Sequence, residues 1–106
     1  MAINRISHLT VYVRDQETAL SWYKQKLGFE VVMDNDEVVS GMRWLTVCPA
    51  GNPATQIALV LANSKEDESR VGNNLMTVLS TTNCIDDMAS LAREGVEIVG
   101  PPEEVP

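Results

Sequence analysis

The chain has 106 residues, 44% of them hydrophobic and 22% charged, with a net charge of −7; this is the composition of one globular domain whose core has little to spare. The acidic balance, with a pI of about 4.5, speaks against nucleic acid and anionic membrane as partners, because both recruit positive surfaces. No apolar run approaches the roughly 20 residues of a membrane-spanning helix, the opening Met-Ala-Ile-Asn-Arg lacks the basic-then-apolar order of a signal peptide, and Cys48 and Cys84 show no metal-type spacing, so a reduced, cytoplasmic setting is expected.

Residues 5–13 alternate, with Ile6, His8, Thr10 and Tyr12 on one face and Ser7, Leu9, Val11 and Val13 on the other, which predicts a strand with one strongly apolar face. Asp15 stands where a helix N-cap belongs, Leu20, Tyr23 and Leu27 recur at helical spacing beside Ala19 and Trp22, and Gly28 supplies the stop, so a helix is predicted over 16–27. A second strand follows over Phe29 to Met33, then a turn at Asp34, Asn35 and Asp36. Residues 38–48 read as a third strand, with Trp44 and Thr46 on the face opposite Arg43, Leu45 and Val47, and residues 55–61 as a fourth, with Gln56, Ala58 and Val60 opposite Ile57, Leu59 and Leu61. The polar stretch 63–74 reads as a loop, 75–81 as a strand, and 96–99 as another. Between those last two, Asn83 caps a helix with Asp86 three residues on, an apolar stripe runs from Ile85 to Ala92, and Gly95 ends it.

The chain repeats itself. Thr10, Val11, Gly28, Glu30 and Val32 recur 67 positions later as Thr77, Val78, Gly95, Glu97 and Val99. Both copies run strand, helix, Gly, strand, so the fold class expected is α+β, built from paired βαβββ modules with the second incomplete. We expect a single domain over 1–106, comprising a first module at 1–63, an inter-module loop at 64–74 and the start of a second module at 75–106. The two further strands of that module would need residues beyond 106, which leads us to expect a longer natural protein.

The run Ser7-His8-Leu9-Thr10-Val11-Tyr12-Val13-Arg14-Asp15, then Ala19-Leu20-Ser21-Trp22-Tyr23, then Leu27-Gly28-Phe29-Glu30-Val31 resembles the glyoxalase / bleomycin-resistance / extradiol dioxygenase superfamily, also called vicinal oxygen chelate. Gly41 to Val47 is similar to that family's third strand, and Glu94-Gly95-Val96 followed by Pro101-Pro102 to its second module. The resemblance implies curved sheets with helices outside, in a glyoxalase/dihydroxybiphenyl dioxygenase-like arrangement, and a homodimer that acts on or binds a small molecule.

In metal-dependent members each module gives two ligands to a divalent ion, one from its first strand and one from its fourth. The resemblance places His8, the one His of the chain, at the first of these positions, and Gln56 at the second, with Ala58 as the competing register. A Zn, Ni, Mn or Fe ion held there would act as a Lewis acid in a lyase, isomerase or dioxygenase reaction. Through the 67-residue offset, however, His8 maps to Leu75, a hydrocarbon, and Gln56 maps past residue 106; Thr77, on the face of Leu75, is a weak substitute. The alternative is a metal-free protein that binds or sequesters a planar or aromatic compound, as in the bleomycin-resistance branch, where the acidic charge suits a cationic ligand. A dimeric scaffold with a vestigial pocket is a third reading. Trp44, Tyr12 and Arg43 are the candidate substrate-binding residues, Trp44 for an aromatic group and Arg43 for an anionic one.

Overall fold

The computed structural model describes residues 1–73 and 77–100. In chain order the described elements are β1 (His8–Val13), α1 (Gln16–Leu27), β2 (Glu30–Asn35), β3 (Trp44–Cys48), β4 (Gln56–Leu61), α2 (Lys65–Arg70) and α3 (Cys84–Arg93). The chain falls into two compact units, Met1–Leu75 and Met76–Pro106. No described helix is long and apolar enough to cross a membrane.

The first unit carries a four-stranded sheet in the order β1-β4-β3-β2, with β1 parallel to β4 and the other pairs antiparallel. Strand alternation decides its two faces, since cross-strand partners project to the same side. On one side Leu45, Val47, Ile57 and Leu59 form the core with Phe29, and Val11, Val13, Ala19, Leu20, Tyr23 and Leu27 pack against them. The helical stripe of α1 and the odd-numbered residues of β1 therefore cover one another. Each such side chain withdrawn from water contributes about 1.5–3 kcal/mol when fully buried.

Helix α1 has the predicted limits, for local reasons. The Asp15 carboxylate accepts from the Thr18 amide at 3.1 Å, and Gly28 takes a left-handed φ of 66° that a side chain would oppose. Its first residue does something periodicity does not reveal. Gln16 is buried, and its side-chain amide donates to the carbonyl oxygens of Leu59 at 2.8 Å and Arg43 at 3.2 Å. The registered β3–β4 pairs are Thr46 with Ala58 and Val47 with Ile57. Gln16 thus satisfies carbonyls just beyond that ladder and ties the helix to both strands.

Several expected boundaries move. Phe29 leaves the second strand for the core, and that strand runs on through Asn35, into the expected turn. The Asn35 side chain then accepts from the amides of Glu37 and Val38, both at 3.2 Å, bending the chain. The expected third strand over 38–48 accordingly shortens to Trp44–Cys48. The expected loop at 63–74 contains α2, whose Ser64 side chain accepts from the Asp67 amide at 3.0 Å ahead of an acidic first turn. Helix α2 lies by β1, where Arg14 pairs with Glu68 and the Arg70 guanidinium sits 5.8 Å from the Tyr12 ring centre.

In the second unit, α3 has the predicted cap: the Asn83 side-chain Oδ1 accepts from the Asp86 amide at 3.1 Å, and Gly95 beyond its end takes a φ of 82°. The strands expected at 75–81 and 96–99 are not strands over 77–81 and 96–99; residues 75 and 76 lie outside the described residues. The first module supplies the reason. There β1 is bonded to β4, and β2 to β3, whereas no described strand pairs with 77–81 or 96–99. An extended segment without a neighbour has no ladder to join.

Replacing Gln16 by Leu keeps the volume roughly constant but removes the donor from the Leu59 and Arg43 carbonyls. We expect a loss of about 1–3 kcal/mol, read as a lower urea midpoint at unchanged m-value.

Candidate functional site

The face of the sheet opposite α1 brings the chemistry-bearing residues together. Register places His8 beside Gln56, Thr10 beside Ala58, and Tyr12 beside Val60 on the β1–β4 pair. Ala58 is also the partner of Thr46, Thr46 of Met33, and Trp44 of Asn35. His8 and Trp44 thus stand on either side of β4, and their ring centres approach to 5.5 Å at an interplanar angle of 57°. They meet diagonally across the strand that carries the small, fully buried Ala58.

His8 is half-buried, with Nδ1 3.0 Å from the Ser7 hydroxyl. The Gln56 side-chain amide donates to the Pro53 carbonyl at 3.1 Å, a bond that leaves its oxygen lone pairs uncommitted. Thr46 is completely buried, and its hydroxyl has no hydrogen-bond partner. Such an orphan destabilises a fold by about 1–3 kcal/mol. Nearby, burial and then the Glu30 carboxylate push the Cys48 thiol up, away from the thiolate form that acts as a nucleophile.

Of the residues singled out from the sequence, His8, Gln56 and Trp44 therefore converge, while Tyr12 and Arg43 are held elsewhere. Tyr12 borders an open, largely apolar cavity of about 380 Å³ at the β1 edge, with Trp22, Tyr23 and Val71 among its lining. The charged groups of that cavity are already engaged, Arg14 with Glu68 and Asp15 with the helix cap. Arg43 grips Asp34 through two 2.8 Å bonds and reaches Glu17 of α1 at 2.6 Å. Its guanidinium thus clamps β2 to the helix, away from the His8 and Trp44 rings. The sequence alternation already put Trp44 and Thr46 on one face; that Thr46 is an orphan depends on its burial, which alternation does not report.

A divalent ion is the group this kind of fold implies, so its fit can be tested on the donors. The register sets an imidazole and a side-chain amide on neighbouring strands. Among the described residues no group of three or more His, Cys, Asp or Glu could hold a metal ion. Leu75, at the position corresponding to His8, lies outside the described residues, but its hydrocarbon side chain has no donor atom. The described donors do not complete a divalent-metal site.

With the βαβββ sheet and its His8–Gln56 register established, the sequence comparison is decisive. Residues 5–106 match the family model of the Glyoxalase/Bleomycin resistance protein/Dioxygenase superfamily, and the chain belongs to that superfamily. A superfamily member from Sphaerobacter thermophilus is 34% identical, covering 100% of this chain and 83% of that one at a TM-score of 0.77. TnmS3, an antibiotic binding protein from Streptomyces sp. CB03234, is 32% identical, covering 98% of this chain and 81% of that one at a TM-score of 0.79. An uncharacterized protein of Shewanella frigidimarina is 27% identical over 93% of this chain and 76% of its own length.

The Arg43 clamp has a pH signature. Its hydrogen bonds hold the Asp34 carboxyl below the usual carboxylate range. A depressed folded pKa contributes stability above the unfolded value near 4, and that contribution is lost as pH falls through the folded value. Asp34→Asn should therefore flatten part of the acid limb below about pH 4 in a plot of Tm against pH. The effect should be only about 0.5–1 kcal/mol, because the pair is partly open to solvent.

Proposed function

We propose that this protein binds and sequesters a planar aromatic small molecule on the sheet face that carries His8, Trp44, Gln56 and Thr46. The observation that carries this reading is the His8–Trp44 ring pair, 5.5 Å apart across β4. It offers two aromatic surfaces to a flat ligand, and stacking on such surfaces needs no chemical step. The likeness to an antibiotic binding protein at 32% identity supports small-molecule binding as the class of function. A net charge of −7 favours a neutral or cationic one. In this reading His8 and Trp44 stack on the ligand and Gln56 orients its edge. Dimerisation, as the family resemblance implies, would complete the cleft.

A second reading rests on the His8–Gln56 register, which sets two candidate ligands side by side. It is a metal-dependent lyase, isomerase or dioxygenase with Zn, Ni, Mn or Fe, whose remaining ligands come from outside the described residues.

The chain has two tryptophans, which makes the test direct. A panel of bleomycin, proflavine and anthraquinone is titrated against Trp22→Phe and Trp44→Phe variants. We expect at least one compound to quench Trp44 emission in Trp22→Phe with a micromolar Kd. Quenching confined to Trp22, in the Trp44→Phe variant, would move the ligand to the cavity at the β1 edge and overturn the reading. Elemental analysis after incubation with Zn, Ni, Mn and Fe separates the second reading: a stoichiometric ion, lost in His8→Ala, would favour it.

A further inference from the structure

We propose that the Thr46 hydroxyl is the specificity determinant of this face, selecting planar aromatic ligands that carry a hydroxyl or carbonyl group on the ring edge. This rests on the binding reading above and goes further, because it names the group that discriminates among flat ligands.

Thr46 is completely buried and its hydroxyl is unpartnered. Its cross-strand neighbours are Ala58 and Met33. Neither offers a strong donor or acceptor, and the backbone groups beside it serve the sheet. A valine would fill nearly the same volume in a strand without the orphan. The hydroxyl therefore sits where the fold has no use for it, on the face shared by His8, Trp44 and Gln56. Ala58 and Thr46 form the small-residue floor of that face, and the two rings meet across β4 above it.

A flat molecule that parts the rings occupies the space over this floor. Its polar edge then meets a hydroxyl able to donate or accept. A ligand lacking that edge leaves the hydroxyl as unsatisfied as before, so discrimination arises from a bond that only the substituted ligand makes.

Naphthol and naphthalene, which share a ring system and differ by one hydroxyl, are the probes, with binding to the intact protein measured by equilibrium dialysis. Wild type should prefer naphthol by about tenfold, near the effect of one buried hydrogen bond. Thr46→Val should bind the two equally and unfold at a higher temperature than wild type. Thr46→Ser keeps the hydroxyl and should keep the preference, and Thr46→Ala should lose it, which preserves the test if the valine variant misfolds. Binding of both probes without preference, or a preference that survives in Thr46→Val or Thr46→Ala, would overturn the role of Thr46 and leave the binding reading intact. Binding of neither probe, together with no quenching by bleomycin, proflavine or anthraquinone, would overturn both.

Discussion

The parallel pairing of β1 with β4 is the constraint on which the rest of the first unit depends. It is the longest-range ladder in the unit, joining the first strand to the last. It adds the first strand to the sheet as an edge beside β4, and α1 packs against one face. In the same step it places His8 beside Gln56 and gives Trp44 a ring to meet. A slip of one residue would exchange the faces, sending His8 toward the helix and Val11 toward the opposite side. Fold and candidate site are two results of one register.

Two polar side chains show how differently buried hydrogen-bonding groups are treated on the two sides. Gln16 donates twice, to carbonyls just beyond the β3–β4 ladder. It is scaffold, and every polar group it touches is satisfied. Thr46, on the other face, is buried with nothing to bond. Groups that weaken a fold without serving it are found where function requires them. The contrast directs attention to the face with the rings rather than to the cavity at the β1 edge, whose charged groups are already committed.

Legibility followed the range of the interactions. Helix α1 was readable to the residue because Asp15, the Leu20-Tyr23-Leu27 stripe and Gly28 act within one or two turns. Helix α3 was readable for the same reason, through Asn83 and Gly95. The alternation of β1 and β4 gave the correct faces. Helix α2 carried a capping signal in Ser64 and Asp67, but its polar composition masked it. The early end of the third strand was hidden as well, since it depends on how the Asn35 side chain folds onto the next amides. The segments 77–81 and 96–99 have strand-like sequences without strand structure, because pairing is a property of neighbours and not of the segment.

By itself, then, the sequence determined helices α1 and α3, the two faces of the first strand and the motifs that carry the family resemblance. The helices and the strand faces follow from capping and periodicity, and the resemblance from short motifs; all are carried by adjacent residues. The tertiary structure alone decided which side chains meet. It brought His8 against Trp44 in a tilted ring contact, committed Arg43 to Asp34 and Glu17, drew Tyr12 toward Arg70, and left the Thr46 hydroxyl orphaned. The physical reason is that each of these contacts joins residues brought together by strand order and register, and by the docking of α1 and α2 on the sheet, none of which is written in the spacing of a single segment.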